Sequence, residues 1–418
     1  MSSMQIDFSQ AKHLGNKLLE QLDELREQAP IYWSDKQNAW IVTGHEPVIE
    51  AFRGELPLSA NRLPRIFSFM PDPAERERRI PYVMQTFSRM LLNLDPPEQP
   101  RLRQLLMKAF NRHVAEFYRP YAREVIADAL DDAQKQGEFD FIETVARKIP
   151  SRVIVRLMGL TDDYIPRLRY WAWATLSGAG GGGTTKDILD ETEKAFHEMR
   201  AAFMAEIEKR RGSTANDFIS SLLSAQVNGE KLTDEEIVAT CIMSLIAGHD
   251  TTGNTIGLGS LTLARDPKLW NELRGVAPEE QLNAIMELQR VIGMSTTQGR
   301  VVSSDFSWRG HDFKQGQIVY LMVASANRDP KVFDQPLQVD LQRSQQHNAT
   351  FGPGLHHCIG HLLAKMQLTE FFPALVQRFD GMDILDDQLD WGTMIGFRGL
   401  QSLHVRVHPR TVREAAVN

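Results

Sequence analysis

Cysteine is nearly absent from this chain of 418 residues, which contains only Cys241 and Cys358. Two cysteines more than one hundred positions apart provide neither a disulfide framework nor the paired spacing of a zinc site. The chain also has no Cys-x-x-Cys-His motif, which excludes covalent attachment of a c-type heme. Cys241 lies on the apolar face of a predicted helix, where a cysteine usually packs as a small buried hydrophobe.

Long hydrophobic runs are missing as well. No stretch of about 18 apolar residues occurs, which is the length that a helix needs to span a bilayer. The start of the chain, Met1–Phe8, has neither the basic residues nor the apolar stretch of a secretion signal. We therefore expect a cytoplasmic protein without a membrane anchor. The net charge of −7 argues against general binding to nucleic acid.

No linker and no sharp change of composition divides the chain, so residues 1–418 are expected to form one domain. Its 42% hydrophobic and 24% charged residues are typical of a globular protein that can bury a large core and enclose a bulky cofactor. Five glycines within residues 177–185 leave the backbone poorly restrained. A flexible connection and a lid over a substrate-binding site explain this segment equally well.

Helical patterns dominate, and patterns typical of strands are short. Residues 10–29 have the apolar spacing of an amphipathic helix, whereas residues 31–33 and 39–43 are β-rich runs that predict a hairpin. Residues 56–94 are weakly patterned and contain several prolines, which is typical of a lid or a pocket wall. The sequence thus predicts a mostly helical α+β fold with small sheets at one edge.

The longest predicted helix begins at a capping box formed by Thr233 and Glu236, and no proline follows until Pro267. Its middle, residues 245–256, combines a carboxylate and three threonines with two glycines that each cost about 1 kcal/mol relative to alanine. Hydrogen bonds from the threonine hydroxyls to the preceding turn would explain the threonines, but not Asp250 together with the glycines. Local rules broken in the middle of a helix indicate a functional site.

Cys358 lies in the most distinctive stretch of the chain, residues 351–360 with the sequence FGPGLHHCIG, and a predicted helix follows it directly. Three glycines allow positive φ angles and a close approach of the backbone to a flat ligand. A helix N-terminus lowers the pKa of a nearby thiol and favours its thiolate form. The pattern therefore predicts a cysteine that binds a metal ion.

This stretch resembles the heme-binding loop of the cytochrome P450 family, because each fixed position of Phe-x-x-Gly-x-His-x-Cys-x-Gly is present. The resemblance implies that Cys358 is the axial thiolate ligand of the iron of heme b. It also implies that Phe351, His356 and Gly360 contribute to the cofactor site.

The segment Ala-Gly-x-Asp-Thr-Thr, which ends at Thr252, is similar to the oxygen-activation motif of the same family. On that resemblance Thr251 lies beside bound dioxygen and Asp250 belongs to a relay that delivers protons. Ala247 and Gly248 are implied contacts of the cofactor, with Gly248 leaving room for the gas. The histidine at position 249 falls on a variable position and receives no role.

Arg103 follows an Asp-Pro-Pro-Glu start at residues 95–98 that resembles another family segment. The resemblance implies that Arg103 and Arg300 bind the heme propionates. Many family members carry histidine where this chain has Gln99, so one usual propionate partner is replaced.

Glu287 and Arg290 lie three positions apart on one predicted helix face, a spacing that allows an ion pair. With Arg343 they resemble the Glu-x-x-Arg motif and third arginine of the family, a buried triad beneath the heme loop. Residues 326–333 match a further family segment. The proline that usually follows Glu-x-x-Arg is missing, and Met294–Thr297 occupy that place beside the substrate pocket.

The resemblance implies the single-domain cytochrome P450 fold and a heme-thiolate monooxygenase that hydroxylates or oxidises a lipophilic small molecule with dioxygen and two electrons. A terpenoid or steroid-like scaffold is the leading substrate class, and a monomer is favoured. Because no flavin-like or ferredoxin-like domain is attached, a separate ferredoxin and ferredoxin reductase are the expected electron donors. A basic face for such an acidic partner is predicted from Arg101, Lys108, Arg112 and Lys365.

Two other classes of function remain open. A heme-thiolate peroxygenase would use hydrogen peroxide directly, but it needs no proton relay of the kind implied for Asp250 and Thr251. A heme-based gas or redox sensor would bind without turnover, but no signalling domain follows.

Overall fold

A computed structural model describes residue 15 and residues 17–178, 185–213, 217–392, 394 and 396–410. The first residues of the predicted N-terminal helix and the middle of the glycine-rich segment lie outside the described residues, as does Met1–Phe8.

Helices make up most of the described chain. The α-helices are α1 (Lys17–Gln28), α2 (His45–Phe52), α3 (Leu63–Ile66), α4 (Pro73–Arg79), α5 (Pro81–Phe87), α6 (Glu98–Leu106), α7 (Arg112–Gln136), α8 (Lys148–Leu157), α9 (Ile165–Gly178), α10 (Lys186–Arg210), α11 (Phe218–Ser224), α12 (Asp234–Arg265), α13 (Pro267–Arg274), α14 (Gln281–Ile292), α15 (Val323–Ala326) and α16 (His361–Arg378). Among the described residues, none of the helices is long and apolar enough to cross a membrane.

The strands are short. They are β1 (Ile31–Ser34), β2 (Ala39–Val42), β3 (Leu58–Ser59), β4 (Glu138–Asp140), β5 (Gln226–Val227), β6 (Glu230–Lys231), β7 (Gln298–Val302), β8 (Phe306–Trp308), β9 (His311–Phe313), β10 (Ile318–Leu321), β11 (Phe379–Ile384), β12 (Asp390–Trp391), β13 (Leu400–Ser402) and β14 (His404–Pro409).

The largest sheet has the order β1-β2-β10-β7-β3. Strands β1 and β2 pair antiparallel, so the predicted hairpin is confirmed. Strand β10 runs parallel to β2 and antiparallel to β7, which places Tyr320 opposite Gly299. The other sheets have the order β11-β14-β4 or contain two strands each. The predicted mostly helical fold with small sheets is confirmed.

Helix α12 connects two hydrophobic cores. Its 32 residues begin after Thr233, and the predicted capping box with Glu236 is formed by hydrogen bonds in both directions. The first part of the helix, up to Ile246, belongs to a core shared with α5, α8 and α10. The last part, from Ile256 on, belongs to a second core shared with α7, α14 and α16. The polar stretch predicted to be functional therefore lies between the two cores.

Candidate active site

The loop before α16 presents the thiol of Cys358. The N–H of Cys358 donates to the carbonyl oxygen of Phe351 at 2.9 Å and closes the loop. Gly354 has a φ of 83°, and a Cβ there would collide with the carbonyl oxygen of Phe52, so only glycine fits. Helix α16 begins at His361, which places a helix N-terminus just after the sulfur as the sequence predicted.

The thiol of Cys358 is half-buried. Burial raises its pKa, while an N–H from Gly360 and the charges of Arg103 and Lys365 act in the opposite direction. The prediction of a lowered pKa is therefore wrong for the free thiol, because the loss of water outweighs the helix N-terminus. A bound metal ion deprotonates a coordinating thiol outright, so the sulfur keeps the chemistry of a metal ligand.

The middle of α12 has two unlike faces. The accessible or partly accessible residues are Ala247, Gly248, Asp250 and Thr251. The intervening residues His249 and Thr252 are buried. The hydroxyl of Thr251 donates to the carbonyl oxygen of Ala247 at 2.7 Å, the local bond expected of a threonine in a helix. Its oxygen still has lone pairs with which it can accept a hydrogen bond.

His249 is a residue whose contact the sequence did not predict. Its Nε2 lies 3.4 Å from Oδ1 of Asp250, and its buried Nδ1 has no partner among the described residues. Burial lowers the pKa of His249, so the imidazole is neutral at pH 7 and does not cancel the charge of the neighbouring carboxylate. The only signal in the sequence was a polar residue within an apolar run.

Three arginines and a histidine form a group that we call the cationic cluster: Arg62, Arg103, Arg300 and His356. Burial lowers the pKa of His356 to about 4, and the charges of the three arginines act in the same direction. Burial also lowers the pKa of Arg300 to about 10, with Arg62 as the next cause. None of the three guanidinium groups forms an ion pair with a carboxylate of the described chain.

Two residues near the cationic cluster, Asp95 and Gln99, do not neutralise its charge. Asp95 acts on His356 through its charge, but its oxygens already accept from the hydroxyl of Ser59 and, at 2.8 Å, from the N–H of Ala60. Gln99 is fully buried, and its Nε2 donates to a backbone carbonyl at 2.7 Å. The cluster therefore retains an excess of positive charge.

The residues present fit a heme. Its two propionate carboxylates suit a cluster of cations that lacks carboxylates of its own, and its iron suits the half-buried thiol of Cys358. Exposed Ala247 and the neighbouring Gly248 supply a small-residue surface in the centre of α12.

Glu287, Arg290 and Arg343 come together as the sequence predicted. Both oxygens of Glu287 accept from Arg290, at 2.7 and 2.8 Å, and one accepts from Arg343 at 3.0 Å. Burial favours a raised pKa for Glu287, but the two arginines outweigh it and lower the pKa. Arg290 also donates to the carbonyl oxygens of Asn327 and Pro336. This triad ties α14 to the segment that leads to the Cys358 loop.

The segment in place of the usual proline is held on both sides. The N–H of Thr296 donates to the carbonyl oxygen of Gly396 at 3.0 Å, and its own carbonyl accepts from the N–H of Ala324 at 3.2 Å. Thr296 is fully buried. The segment is thus fixed by backbone hydrogen bonds although it lacks a proline.

Only part of the predicted basic face is available. Lys108 and Arg112 are exposed. Arg101 forms ion pairs with Glu98 and Glu236, so its charge is balanced within the chain. Lys365 is half-buried, with its Nζ 5.3 Å from the ring centre of Phe351. Of the four predicted cations, Lys108 and Arg112 are thus exposed, whereas the charge of Arg101 is balanced within the chain and Lys365 is only partly accessible.

The chain is similar to known proteins of one family. Residues 182–275 and 282–388 match the family model described as Cytochrome P450. The chain is 30% identical over 385 residues to the biotin biosynthesis cytochrome P450 of Bacillus subtilis (strain 168), which covers 92% of this chain and 94% of that protein. It is 32% identical over 321 residues to the mycinamicin IV hydroxylase/epoxidase of Micromonospora griseorubida, and the match covers 75% of this chain and 79% of that protein.

Solved structures share the fold over nearly the whole chain. P450BioI in complex with an acyl carrier protein ligated to hexadec-9Z-enoic acid superposes with a TM-score of 0.85 at 29% identity, covering 95% of this chain and 100% of that chain. Epothilone D-bound P450epoK has a TM-score of 0.85 at 26% identity, covering 97% and 99%. The chain therefore belongs to the cytochrome P450 family and has its fold.

Proposed function

We propose that this monooxygenase holds heme b through Cys358 and oxidises a lipophilic small molecule with electrons from a separate ferredoxin and its reductase. The observation that carries the proposal is that one fold contains a half-buried Cys358 on the loop before α16 and partly accessible Asp250 and Thr251 in the centre of α12. When bound, the heme supplies the activation of dioxygen and the insertion of one oxygen atom, which the thiolate promotes by donating electron density.

The protein's part is to bind, to orient and to deliver protons. Arg103, Arg300 and His356 hold the propionates, while Phe351 and Gly360 shape the loop around the sulfur. These residues suit carboxylates because the two arginines carry positive charge and the neutral His356 can donate an N–H.

Thr251 and Asp250 move protons in this proposal. The hydroxyl of Thr251 donates its proton in a hydrogen bond to the carbonyl oxygen of Ala247. The hydroxyl oxygen of Thr251 can therefore accept a hydrogen bond and hold a proton donor in place. Asp250 is 31% exposed and can exchange protons with solvent. Ala247 and Gly248 leave room beside them.

The substrate proposal rests on relatives. Similar structures were solved with epothilone D, with testosterone and with an acyl carrier protein that carries hexadec-9Z-enoic acid. All three small molecules are lipophilic. We retain a terpenoid or steroid-like scaffold as the leading class for this chain. Titration with steroids, terpenoids, fatty acids and macrolides, followed by the shift of the heme Soret band, ranks these classes directly.

Electron delivery is proposed to use the surface near Cys358. Exposed Lys108 and Arg112 supply positive charge for an acidic ferredoxin. An open groove of about 410 Å³ lies nearby and is lined by Leu282, Met286 and Phe351 among others. The groove, which includes Phe351 and His357 of the Cys358 loop, offers apolar contact, and Lys108 and Arg112 offer exposed positive charge.

The ligand assignment is tested by Cys358→His, with Cys241→Ala as the matched control. Cys358→His should lose the thiolate-type Soret band of the reduced carbon monoxide complex and should lose monooxygenase activity. Cys241 is fully buried in the core, and its removal should leave that band in place. A thiolate-type band that persists in Cys358→His would refute the assignment.

The proton-delivery role is tested by Thr251→Ala, with Thr252→Ala as its control one residue away on the buried face. Thr251→Ala should still bind substrate and consume NADH with ferredoxin and reductase, but it should release hydrogen peroxide in place of most product. Thr252→Ala should keep product formed per NADH near the wild-type value. Full yield in Thr251→Ala would remove this residue from the mechanism, and turnover of the wild type with peroxide alone would favour a peroxygenase.

A further inference from the structure

Arg62 is an arginine without an anionic partner among the described residues. It occupies the N-cap position of α3 without a side-chain capping bond, three residues after strand β3 at the edge of the largest sheet. Its Nε is buried and has no hydrogen bond, and its guanidinium pairs with no carboxylate of the described chain. Burial lowers the pKa of Arg62. Arg62 as a whole is half-buried, and removing part of a cation from water without an anion is costly, so a ligand with the opposite charge would stabilise it.

A glycine gives Arg62 room beside strand β7. A Cβ on Gly299 would lie 3.2 Å from Cδ of Arg62, so the absence of a side chain on β7 lets the arginine lie close to that strand. The carbonyl oxygen of the same Gly299 accepts from Nη1 of Arg300 at 2.8 Å. Both arginines therefore lie around one residue of β7, and the charge of Arg62 acts on Arg300 and on His356.

Within the described residues, the charge of Asp95 acts on Arg300 and His356, but one carboxylate does not balance three arginines. The oxygens of Asp95 accept from Ser59 and Ala60, and Gln99 is an uncharged amide that donates to the carbonyl oxygen of Leu355. What the arrangement lacks is a carboxylate that two guanidinium groups could share through charge-assisted hydrogen bonds.

We propose that Arg62 binds a heme propionate together with Arg300, as a cofactor-binding residue of this chain. This inference rests on the proposed heme site, and it adds a ligand contact from a segment more than two hundred residues before Arg300. By joining α3 to the cofactor, it makes the edge of the largest sheet part of the heme site.

The test measures heme transfer from the holoenzyme to excess apomyoglobin. Arg62→Met keeps most of the apolar stem but removes the charge, and it should release heme about tenfold faster or more, which is typical of losing a hydrogen bond to a charged group. Arg62→Lys should fall between this variant and the wild type. Arg65→Met removes an exposed arginine three residues away and should leave the rate unchanged.

A second experiment removes the charge of the propionates instead of the charge of Arg62. Apoproteins of the wild type and of Arg62→Met are reconstituted with heme and with its dimethyl ester, in which the propionates carry no charge. If Arg62 acts through a propionate, the ester abolishes most of the difference between the two proteins. An equal difference with both cofactors would show that Arg62 only supports the fold, and would overturn the proposal.

Two further measurements separate other outcomes. Unchanged heme transfer in Arg62→Met with weakened spectral binding of palmitic acid would mean that Arg62 binds a substrate carboxylate, which also overturns the proposal. The thiolate-type Soret band should persist in Arg62→Met. Its absence from the wild type would defeat the ligation by Cys358, and that failure is distinct from a failure at Arg62.

Discussion

The molecule contains two groups of buried and half-buried charged residues, which differ in whether the chain itself supplies the opposite charge. In the triad, Glu287 lies between Arg290 and Arg343, and backbone carbonyls accept the remaining donors of Arg290. In the cationic cluster, three arginines and a histidine lie together without a carboxylate of the described chain that pairs with them. The triad completes its interactions within the chain, whereas the cationic cluster needs an anion from outside.

The directions of the pKa changes express this difference. The pKa of Glu287 is lowered even though burial opposes that direction, so its surroundings favour the charged form. The pKa of Arg300 is lowered to about 10 by burial and by Arg62, so its surroundings disfavour the charged form. The charged form of Glu287 is thus stabilised by partners within the chain, whereas that of Arg300 would be stabilised by an anion that binds beside it.

The largest expected effect comes from breaking the triad. Glu287→Ala leaves two arginines without their anion and should cost about 3–5 kcal/mol in the free energy of unfolding, in the apoprotein and in the holoenzyme alike. Denaturant titration of both forms measures it. Glu280→Ala, which removes an exposed carboxylate without a side-chain cap bond at the start of α14, should change stability little. A normal stability in Glu287→Ala would make the triad incidental.

Removing a charge from the cationic cluster should stabilise the apoprotein but weaken heme binding in the holoenzyme. Arg300→Met removes a disfavoured buried charge, so the apoprotein should gain about 1–3 kcal/mol of stability, while the holoenzyme should lose heme more readily. Calorimetry of apoprotein and holoenzyme, together with heme content, checks both halves. Equal destabilisation of the two forms would place Arg300 with the triad as a structural residue.

The stability that the triad contributes should depend on pH in the acidic range. Because the folded-state pKa of Glu287 is lowered, its contribution to stability is fully present above the ordinary glutamate value of about 4.3 and is lost as the pH falls through the folded value. Below about pH 4.3 the wild type should therefore lose stability more steeply than Glu287→Gln, whose amide does not titrate. Denaturant titrations of both proteins at a series of acidic pH values measure the two slopes. Parallel slopes would contradict a carboxylate held ionised by its arginines.

Local patterns predicted the elements of the site, and long-range packing decided their partners. The capping box at Thr233, the glycines before Cys358 and the Glu-x-x-Arg spacing are all local, and the structure has each of them. The partnerships that were missed join distant residues, such as Arg101 with Glu236 and Arg62 with Arg300. No spacing rule connects such pairs.

Burial could not be predicted from local patterns either. The sequence shows that a helix follows Cys358, but not how much water the folded chain excludes from the sulfur. That balance determines the direction of the thiol pKa. The same limit applies to His249, whose burial follows from how α12 packs against its neighbours.

The smallest effect on stability is expected for charges that lie outside both groups. Lys108 and Arg112 are exposed, so their reversal to Glu should change the free energy of unfolding by less than about 0.5 kcal/mol. If they attract an acidic ferredoxin, the double variant should raise the KM for ferredoxin about threefold or more and leave substrate binding unchanged. The difference should shrink as salt is added, because the Debye length is about 8 Å at physiological ionic strength.

Lys314→Glu, which reverses an exposed cation beside the largest sheet, is the control and should leave this KM unchanged. An unaltered KM in the double variant would move the docking surface away from these residues, whereas a large loss of stability would show that the two cations belong with the buried groups after all.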